Sequence, residues 1–220
     1  RGRRRRRRRL GELVTMTFLT DSDKHRIAEA IKDAESRTGG EIVTVIARSS
    51  DSYVYIPLVW ASGLALVVPL PLLFSGLPLS YIEIYQIQLA VFIAFGLLFR
   101  WMPLKMRLIP KSIKRMRSAR LAREQFLAQG LHRTEGRTGV LLFVSLAERY
   151  VEVLADSGIN DKVEAGTWDG LVASFVAKVK TDQVAEGFLE AVATCGALLA
   201  EHFPKPPGNK DELPNHLVEL

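Results

Sequence analysis

The sequence predicts an α/β domain in which a small mixed sheet with flanking helices is interrupted by a two-helix transmembrane hairpin. A helical apolar pattern and a β-branched run come before two long, nearly uncharged stretches. The chain is therefore predicted to enter the membrane after only the first helix and strand of its soluble domain. A second set of strand and helix patterns follows, which indicates that the soluble domain resumes after the hairpin. Hydrophobic residues make up 48% of the 220 residues, enough to supply both a core and a membrane segment.

The first part of the predicted domain covers residues 20 to 50. Apolar residues at helical spacing predict a helix from Ser22 to Arg37, which two glycines end. Thr20 or Asp21 can cap the unpaired N–H groups of its first turn. The alternating, β-branched stretch Glu41 to Ala47 then predicts a strand that is buried on at least one face.

The predicted transmembrane hairpin covers residues 56 to 101. Its first span, Ile56 to Phe74, carries no charge over about the 20 residues that a bilayer-spanning helix needs. Pro69 and Pro71 are expected to kink or end this span. The second span runs from Ile84 to Phe99, and two spans return the chain to the side of the membrane that it left.

Positive charge is distributed unevenly around this hairpin. The loop between the spans contains no lysine or arginine, whereas a dense basic cluster follows the second span. The positive-inside bias therefore predicts a two-pass protein of the inner or plasma membrane with its soluble parts in the cytoplasm. We expect the cluster to lie against anionic lipid headgroups; its members are Arg100, Lys105, Arg107, Lys111, Lys114, Arg115 and Arg117.

The second part of the predicted domain covers residues 110 to 204. Its patterns predict a basic helix that ends at Gly130, followed by a β-hairpin of strands Gly139 to Leu146 and Tyr150 to Ala155. Two closing helices are predicted after the hairpin, Trp168 to Lys180 and Gln183 to His202. The crossover between the strands Glu41 to Ala47 and Gly139 to Leu146 contains a helix, which favours a parallel pair. Residues 205 to 220 are predicted to be a polar tail without regular structure.

The net charge of +6 comes from the first residues of the chain. Of the 30 lysines and arginines, eight lie at Arg1 and at Arg3 to Arg9, which leaves 22 basic residues against 24 acidic ones. Residues 1 to 15 are predicted to be an upstream extension or disordered arm, and a run of arginines alone is a weak sign of nucleic-acid binding. We therefore expect the lipid bilayer and other membrane proteins as partners, and not nucleic acid.

Three stretches resemble a known family: "TGGEIV", "RTGVLLFVSLAER" and "VEVLADSGI". Over residues 20 to 50 and 110 to 204 the sequence resembles the TPM domain family, which includes a thylakoid lumen phosphatase-like protein and a photosystem II repair factor. The hairpin is a departure, because a short loop stands at this place in most members. The resemblance implies a compact, membrane-associated α/β sandwich, with weak acid phosphatase activity and calcium binding in some members. Many bacterial members are regarded as assembly or maintenance factors for membrane proteins.

Motifs for catalysis are scarce. The sequence lacks the phosphate-binding G-x-x-x-x-G-K-[ST], the nucleophile elbow G-x-S-x-G and the zinc motif H-E-x-x-H. Asp156, Asn160 and Asp161 follow a central strand in the loop "ADSGINDK", where oxygen ligands could hold Ca²⁺. The same residue types also cap and turn ordinary strand-to-helix connections. The single cysteine, Cys195, lies in an apolar run and is predicted to be a core residue.

Three functions are compatible with this sequence. The first is a membrane-anchored TPM-like domain that acts as an interaction or assembly module at the bilayer surface. The alternative is a weak acid phosphatase, in which Ca²⁺ held by Asp156 and Asp161 polarises a phosphoryl oxygen. A small oligomeric channel ranks third, since it rests only on Glu83, Gln86 and Gln88 near one end of the second span.

Overall fold

A computed structural model of the protein describes residues 19–164, 166–208 and 212–220. The predicted arm at residues 1 to 15 lies outside the described residues. The helices are α1 (Asp21–Glu35), α2 (Tyr55–Val67), α3 (Pro69–Phe74), α4 (Tyr81–Leu98), α5 (Met102–Leu108), α6 (Lys111–Ala128), α7 (Ser157–Asn160), α8 (Asp169–Lys180) and α9 (Val184–His202). The strands are β1 (Glu41–Ala47), β2 (Gly139–Ser145), β3 (Tyr150–Ala155) and β4 (Leu217–Glu219), and a short 3₁₀ helix covers Leu131–Arg133.

The four strands form one mixed sheet in the order β3-β2-β1-β4. At the start of β1 the Glu41 N–H donates to the carbonyl of Thr138, and at its end the Ala47 carbonyl accepts from Leu146, so β1 and β2 are parallel. Strand β3 returns antiparallel to β2, with the Asp156 N–H bonded to the Gly139 carbonyl at 3.0 Å. The α/β class and the mixed sheet predicted from the sequence are therefore confirmed.

The end of the chain corrects the prediction of an unstructured polar tail over residues 205 to 220. Strand β4 pairs parallel with β1, with Thr44 opposite Leu217 and Ile46 opposite Glu219. Leu217 is buried, and β4 also contacts α1. A strand of three residues is too short to show an alternating pattern, so only its pairing partner reveals it.

The chain forms two compact units. The first contains the described residues up to Ile46 together with Ala122–Val144 and Val151–Leu220, and the second contains Ala47–Leu121 and Ser145–Tyr150. In the first unit, α9 packs on both α1 and α8. Every residue of β1 and of β2 is buried, as expected for central strands.

Capping side chains fix where several helices begin. Thr20 and Asp23 form a capping box at α1, so of the two predicted caps, Thr20 and Asp21, it is Thr20 that caps the helix. Ser80 and Glu83 form another at α4, with the Ser80 N–H donating to the Glu83 carboxylate at 2.7 Å. The second apolar helix therefore begins at Tyr81 and not at Ile84, because Glu83 supports its first turn from within the helix.

The second unit contains the apolar hairpin. Tyr55–Phe74 and Tyr81–Leu98 are long and apolar enough to cross a membrane, and they pack on each other. The first of these breaks at Val68, and α3 starts at Pro69, where the sequence predicts a kink. No residue of α4 is buried. By length and composition both helices could therefore cross a membrane.

Candidate functional site

The carboxyl ends of the parallel strands β1 and β2 carry a polar cluster in the second unit. In α/β folds this edge is the usual place for a ligand, because the loops that leave parallel strands converge there. Ser49, Ser50 and Asp51 follow β1, and Glu148 follows β2 in the turn toward β3. We name Ser49, Ser50, Tyr53, Ser118, Ser145 and Glu148 the Glu148 cluster.

Glu148 is the centre of this cluster. Its Oε1 accepts hydrogen bonds from the Ser50 N–H (3.1 Å) and the Tyr53 hydroxyl (2.9 Å), and its Oε2 accepts from the Ser145 hydroxyl. The Ser49 hydroxyl lies 3.1 Å from Oε1, but its single proton is shared with the Asp51 carbonyl at 2.8 Å. These donors satisfy a half-buried carboxylate, so the charge of Glu148 is stabilised without an ion pair.

A chain of hydroxyl groups extends from Glu148 to helix α6. The Ser50 Oγ lies 2.8 Å from the Ser145 Oγ and 2.8 Å from the Ser118 Oγ. Ser118 and Ser145 are fully buried. A buried serine beside a carboxylate has the partners of an activated nucleophile, but no substrate can reach these hydroxyls in this conformation. This series of hydroxyl groups therefore links the loop after β1 to β2 and α6, and it presents no reactive group to solvent.

Tyr53 holds the loop between β1 and the apolar hairpin in an uncommon conformation. Its φ of 49° lies in the left-handed region, which costs a non-glycine residue of order 1–3 kcal/mol. The Tyr53 N–H bonds to the Asp51 carboxylate at 3.2 Å, and Asp51 in turn lies 3.2 Å from the Arg117 guanidinium. Burial, followed by the hydrogen bond to Glu148, raises the pKa of Tyr53. These contacts fix where the chain enters α2.

A cavity of about 760 Å³ lies beside the Glu148 cluster within the same unit. We name it the cationic pocket, because its charged lining consists of Arg107, Lys111, Lys114 and Arg149 with Glu148 as the one acidic residue. The rest of its wall is largely apolar, from Pro103, Met106, Ile109, Leu146 and Ala147. Desolvation by burial lowers the pKa of Lys114, whose ammonium group donates to the Met106 carbonyl.

The predicted calcium loop lies in the first unit. Asp156 caps α7 by accepting from the Ser157 N–H at 2.7 Å, and its other oxygen lies 3.6 Å from Arg137. Asn160 donates its amide to the Ala155 carbonyl, and Asp161 is the C-cap residue of α7. Within the described residues no three His, Cys, Asp or Glu side chains are grouped so that they could hold a metal.

These contacts are those of an ordinary strand-to-helix turn, so the calcium site stays a prediction. Its direct test is a calorimetric Ca²⁺ titration of the full chain and of Asp161→Ala.

The predicted membrane-surface residues divide into two groups. Arg100, Arg107, Lys111 and Arg115 are exposed, as that role requires. The other three make internal contacts: Lys105 donates to the Ser52 carbonyl, Lys114 to the Met106 carbonyl, and Arg117 pairs with Asp51. Only the first group presents its full charge outward.

The sequence alone missed the Glu148 cluster and the role of Arg149. The available signal is the acid in "SLAER", which stands in the connection between two predicted strands. Cys195 is fully buried, which raises its pKa to about 12, and this agrees with the predicted core residue.

Comparison with known proteins supports the fold. Residues 108–198 match the family model described as the TPM domain. This stretch covers most of the resemblance predicted for residues 110 to 204, whereas residues 20 to 50 and the hairpin lie outside it. No curated protein matches the chain.

A solved structure has a similar fold. The NMR structure of the BA42 protein from the psychrophilic bacterium Bizionia argentinensis superposes with a TM-score of 0.60, covering 94% of this chain and 99% of that one. Sequence identity is 20%, so this likeness concerns the fold alone.

Proposed function

We propose that the protein is a membrane-anchored TPM-like domain that acts as an interaction or assembly module at the cytoplasmic surface of the inner or plasma membrane. The observation that supports this most is the apolar hairpin between β1 and β2, whose second helix has no buried residue. Helix α4 has 18 residues and none of them is buried, so its apolar surface needs lipid or another protein.

The geometry of the polar residues supports a module rather than an enzyme. The Ser145 hydroxyl, which donates to Glu148, and the Ser118 hydroxyl, which bonds to Ser50, are both fully buried. The cluster therefore fixes the loop that leads into the hairpin. A rigid entry to the membrane would hold the soluble domain at a set place on the bilayer surface, where other membrane proteins can dock.

The test is complementation in cells that lack the protein. Membrane complexes are separated on native gels after deletion and after rescue by the wild-type chain, Ala90→Arg or Ala90→Leu. Ala90 lies exposed at the middle of α4, so the arginine should prevent anchoring and the leucine should preserve it. We expect at least one complex to be lost on deletion and restored only by the wild-type and Ala90→Leu chains.

Two results would contradict the proposal. Every membrane complex could survive deletion, or Ala90→Arg could rescue as well as the wild-type chain, which would make anchoring irrelevant. For the cytoplasmic placement, a reporter that is active only outside the cytoplasm is fused after Leu220. We expect this reporter to stay silent, and a strong signal would place the soluble domain on the opposite side.

A further inference from the structure

The cationic pocket has more positive charge than its own residues neutralise. Four cationic side chains line it against one carboxylate, and both oxygens of that carboxylate, Glu148, already accept hydrogen bonds. Among the residues that the structure describes, Arg107, Lys111 and Arg149 lie within ion-pair distance of no acidic side chain. Cationic groups gathered without counter-charges form a site for an anion.

Lys114 gives the pocket a donor that is already partly removed from water. One N–H of its ammonium group bonds to the Met106 carbonyl, which leaves two further donors. Desolvation lowers its pKa, so the charged form is destabilised and would be stabilised by a bound anion. Arginine forks such as those of Arg107 and Arg149 match the paired oxygens of a phosphate group.

The apolar part of the lining indicates what else the ligand carries. Met106, Ile109 and Leu146 are poor partners for a free, fully hydrated anion. The cationic wall begins in α5, which follows directly on the second apolar helix after Trp101. A phosphate group joined to an apolar chain is what a membrane offers at this position.

We propose that the cationic pocket binds the phosphate headgroup of an anionic phospholipid. This inference rests on the proposed anchoring of the hairpin in a bilayer, and it adds a specific lipid site to that role. Arg107, Lys111, Lys114 and Arg149 contact the headgroup, while the apolar wall receives the glycerol and the first methylene groups. Bound lipid fills the space between α5, the start of α6 and the turn after β2.

The experiment uses the full chain in micelles of a neutral detergent. Native mass spectrometry measures the binding of phosphatidylglycerol, with phosphatidylcholine as the headgroup of zero net charge. The pocket variants are Arg107→Gln and Arg149→Gln, and the matched controls are Arg100→Gln and Arg115→Gln. All four remove one positive charge from an exposed arginine of the second unit.

We expect each pocket variant to weaken phosphatidylglycerol binding about tenfold, the effect of losing one charge-assisted hydrogen bond. The controls should change it less than about threefold, because exposed charges are screened. Equal losses in all four variants would show a diffuse electrostatic surface and overturn the pocket. Equal binding of phosphatidylcholine to the wild-type chain would also overturn it.

A second arm separates lipid from free phosphate. Glycerol phosphate is added as a competitor, and we expect it to displace phosphatidylglycerol only at concentrations far above that of the lipid. Displacement at equal concentration would assign the pocket to a soluble phosphate compound.

Failure of the lipid site is distinguishable from failure of the anchor, because resistance of the wild-type chain to alkaline carbonate extraction reports anchoring independently. Arg107 lies exposed on α5, so its variant keeps the test valid if Arg149→Gln fails to fold.

Discussion

Helices α9 and α4 are nearly equal in length and both are mainly apolar, yet their surroundings are opposite. Helix α9 has 19 residues, of which nine are buried in the first unit, including Phe188, Cys195 and Leu199. Helix α4 has 18 residues and none is buried. A core helix also has an apolar composition, so burial and not composition separates the two environments. The protein itself covers α9, whereas α4 needs another apolar partner.

The comparison extends to the glycines of the two helices. A side-chain carbon at Gly196 of α9 would lie 2.6 Å from the Ala34 side chain of α1. At Gly96 of α4 the same carbon would have no described atom within 4 Å beyond its own stretch of helix. Close approach in α9 reflects packing at interior density. In α4 the glycine serves no protein contact within the described chain. Packing against α1 therefore limits the size of the residue at position 196, whereas no described contact limits it at position 96.

Removing a core side chain should have the largest effect. Phe188 is fully buried, and its ring lies 4.9 Å from that of Phe175 in an edge-to-face arrangement. We expect Phe188→Ala to lower the free energy of unfolding by about 3–5 kcal/mol, through lost burial and the cavity left behind. The thermal unfolding midpoint in detergent measures this. The exposed Phe74→Ala is the control, and an equal fall there would contradict the difference between the two regions.

A charge at the centre of α4 tests the other side of the comparison. An arginine at the middle of a spanning helix costs about 2.5–3.5 kcal/mol on insertion scales, so Ala90→Arg should release much of the protein from membranes. Ala90→Leu adds volume without charge and should stay in the membrane fraction. Alkaline carbonate extraction measures both. Extraction of the wild-type chain itself would mean that α4 is covered by protein and not by lipid.

A pair of glycine substitutions compares packing directly. Gly196→Ala forces an added methyl group against Ala34, and overpacking of this kind costs about 1–3 kcal/mol. Gly96→Ala meets open space, and we expect it to leave stability unchanged or slightly raised. Unfolding midpoints of the two variants in the same detergent give the result. A loss at Gly96 equal to that at Gly196 would reveal a protein contact on α4.

Local patterns predicted most of the fold. The bounds of β1 and β3 agree with the prediction residue for residue, because β-branched alternation between glycine and turn signals is a short-range property. The apolar hairpin was equally visible, since its signal is a long run without charge.

Long-range pairing explains what the sequence did not reveal. Strand β4 is only three residues long, and its position follows from its partner β1 rather than from its own pattern. The members of the Glu148 cluster come from segments near residues 50, 118 and 145, which no spacing rule connects. The residue type and position of Asp156 allow two interpretations, a metal ligand and a helix cap. The structure shows the cap, while the metal ligand stays a prediction.

The smallest predicted effect concerns the loop that leads into the hairpin. Tyr53→Phe removes the hydroxyl that donates to Glu148. We expect a loss of about 1 kcal/mol, below the usual range for a hydrogen bond to a charged group, because the Ser50 N–H still donates to the same oxygen. The pKa of Tyr53 is raised in the folded state, so its contribution to stability is complete below the unfolded value near 10 and decreases as the pH rises above it.

The stability difference between the wild-type chain and Tyr53→Phe should therefore be largest near pH 8 and should narrow above pH 10. Unfolding midpoints at both pH values measure it, and Tyr55→Phe is the matched control because Tyr55 is exposed. A difference that stays constant across this range would mean that folding does not raise the pKa of Tyr53 through burial and the Glu148 hydrogen bond. The Asp51 carboxylate, which accepts from the Tyr53 N–H, would then be the contact that holds the left-handed conformation.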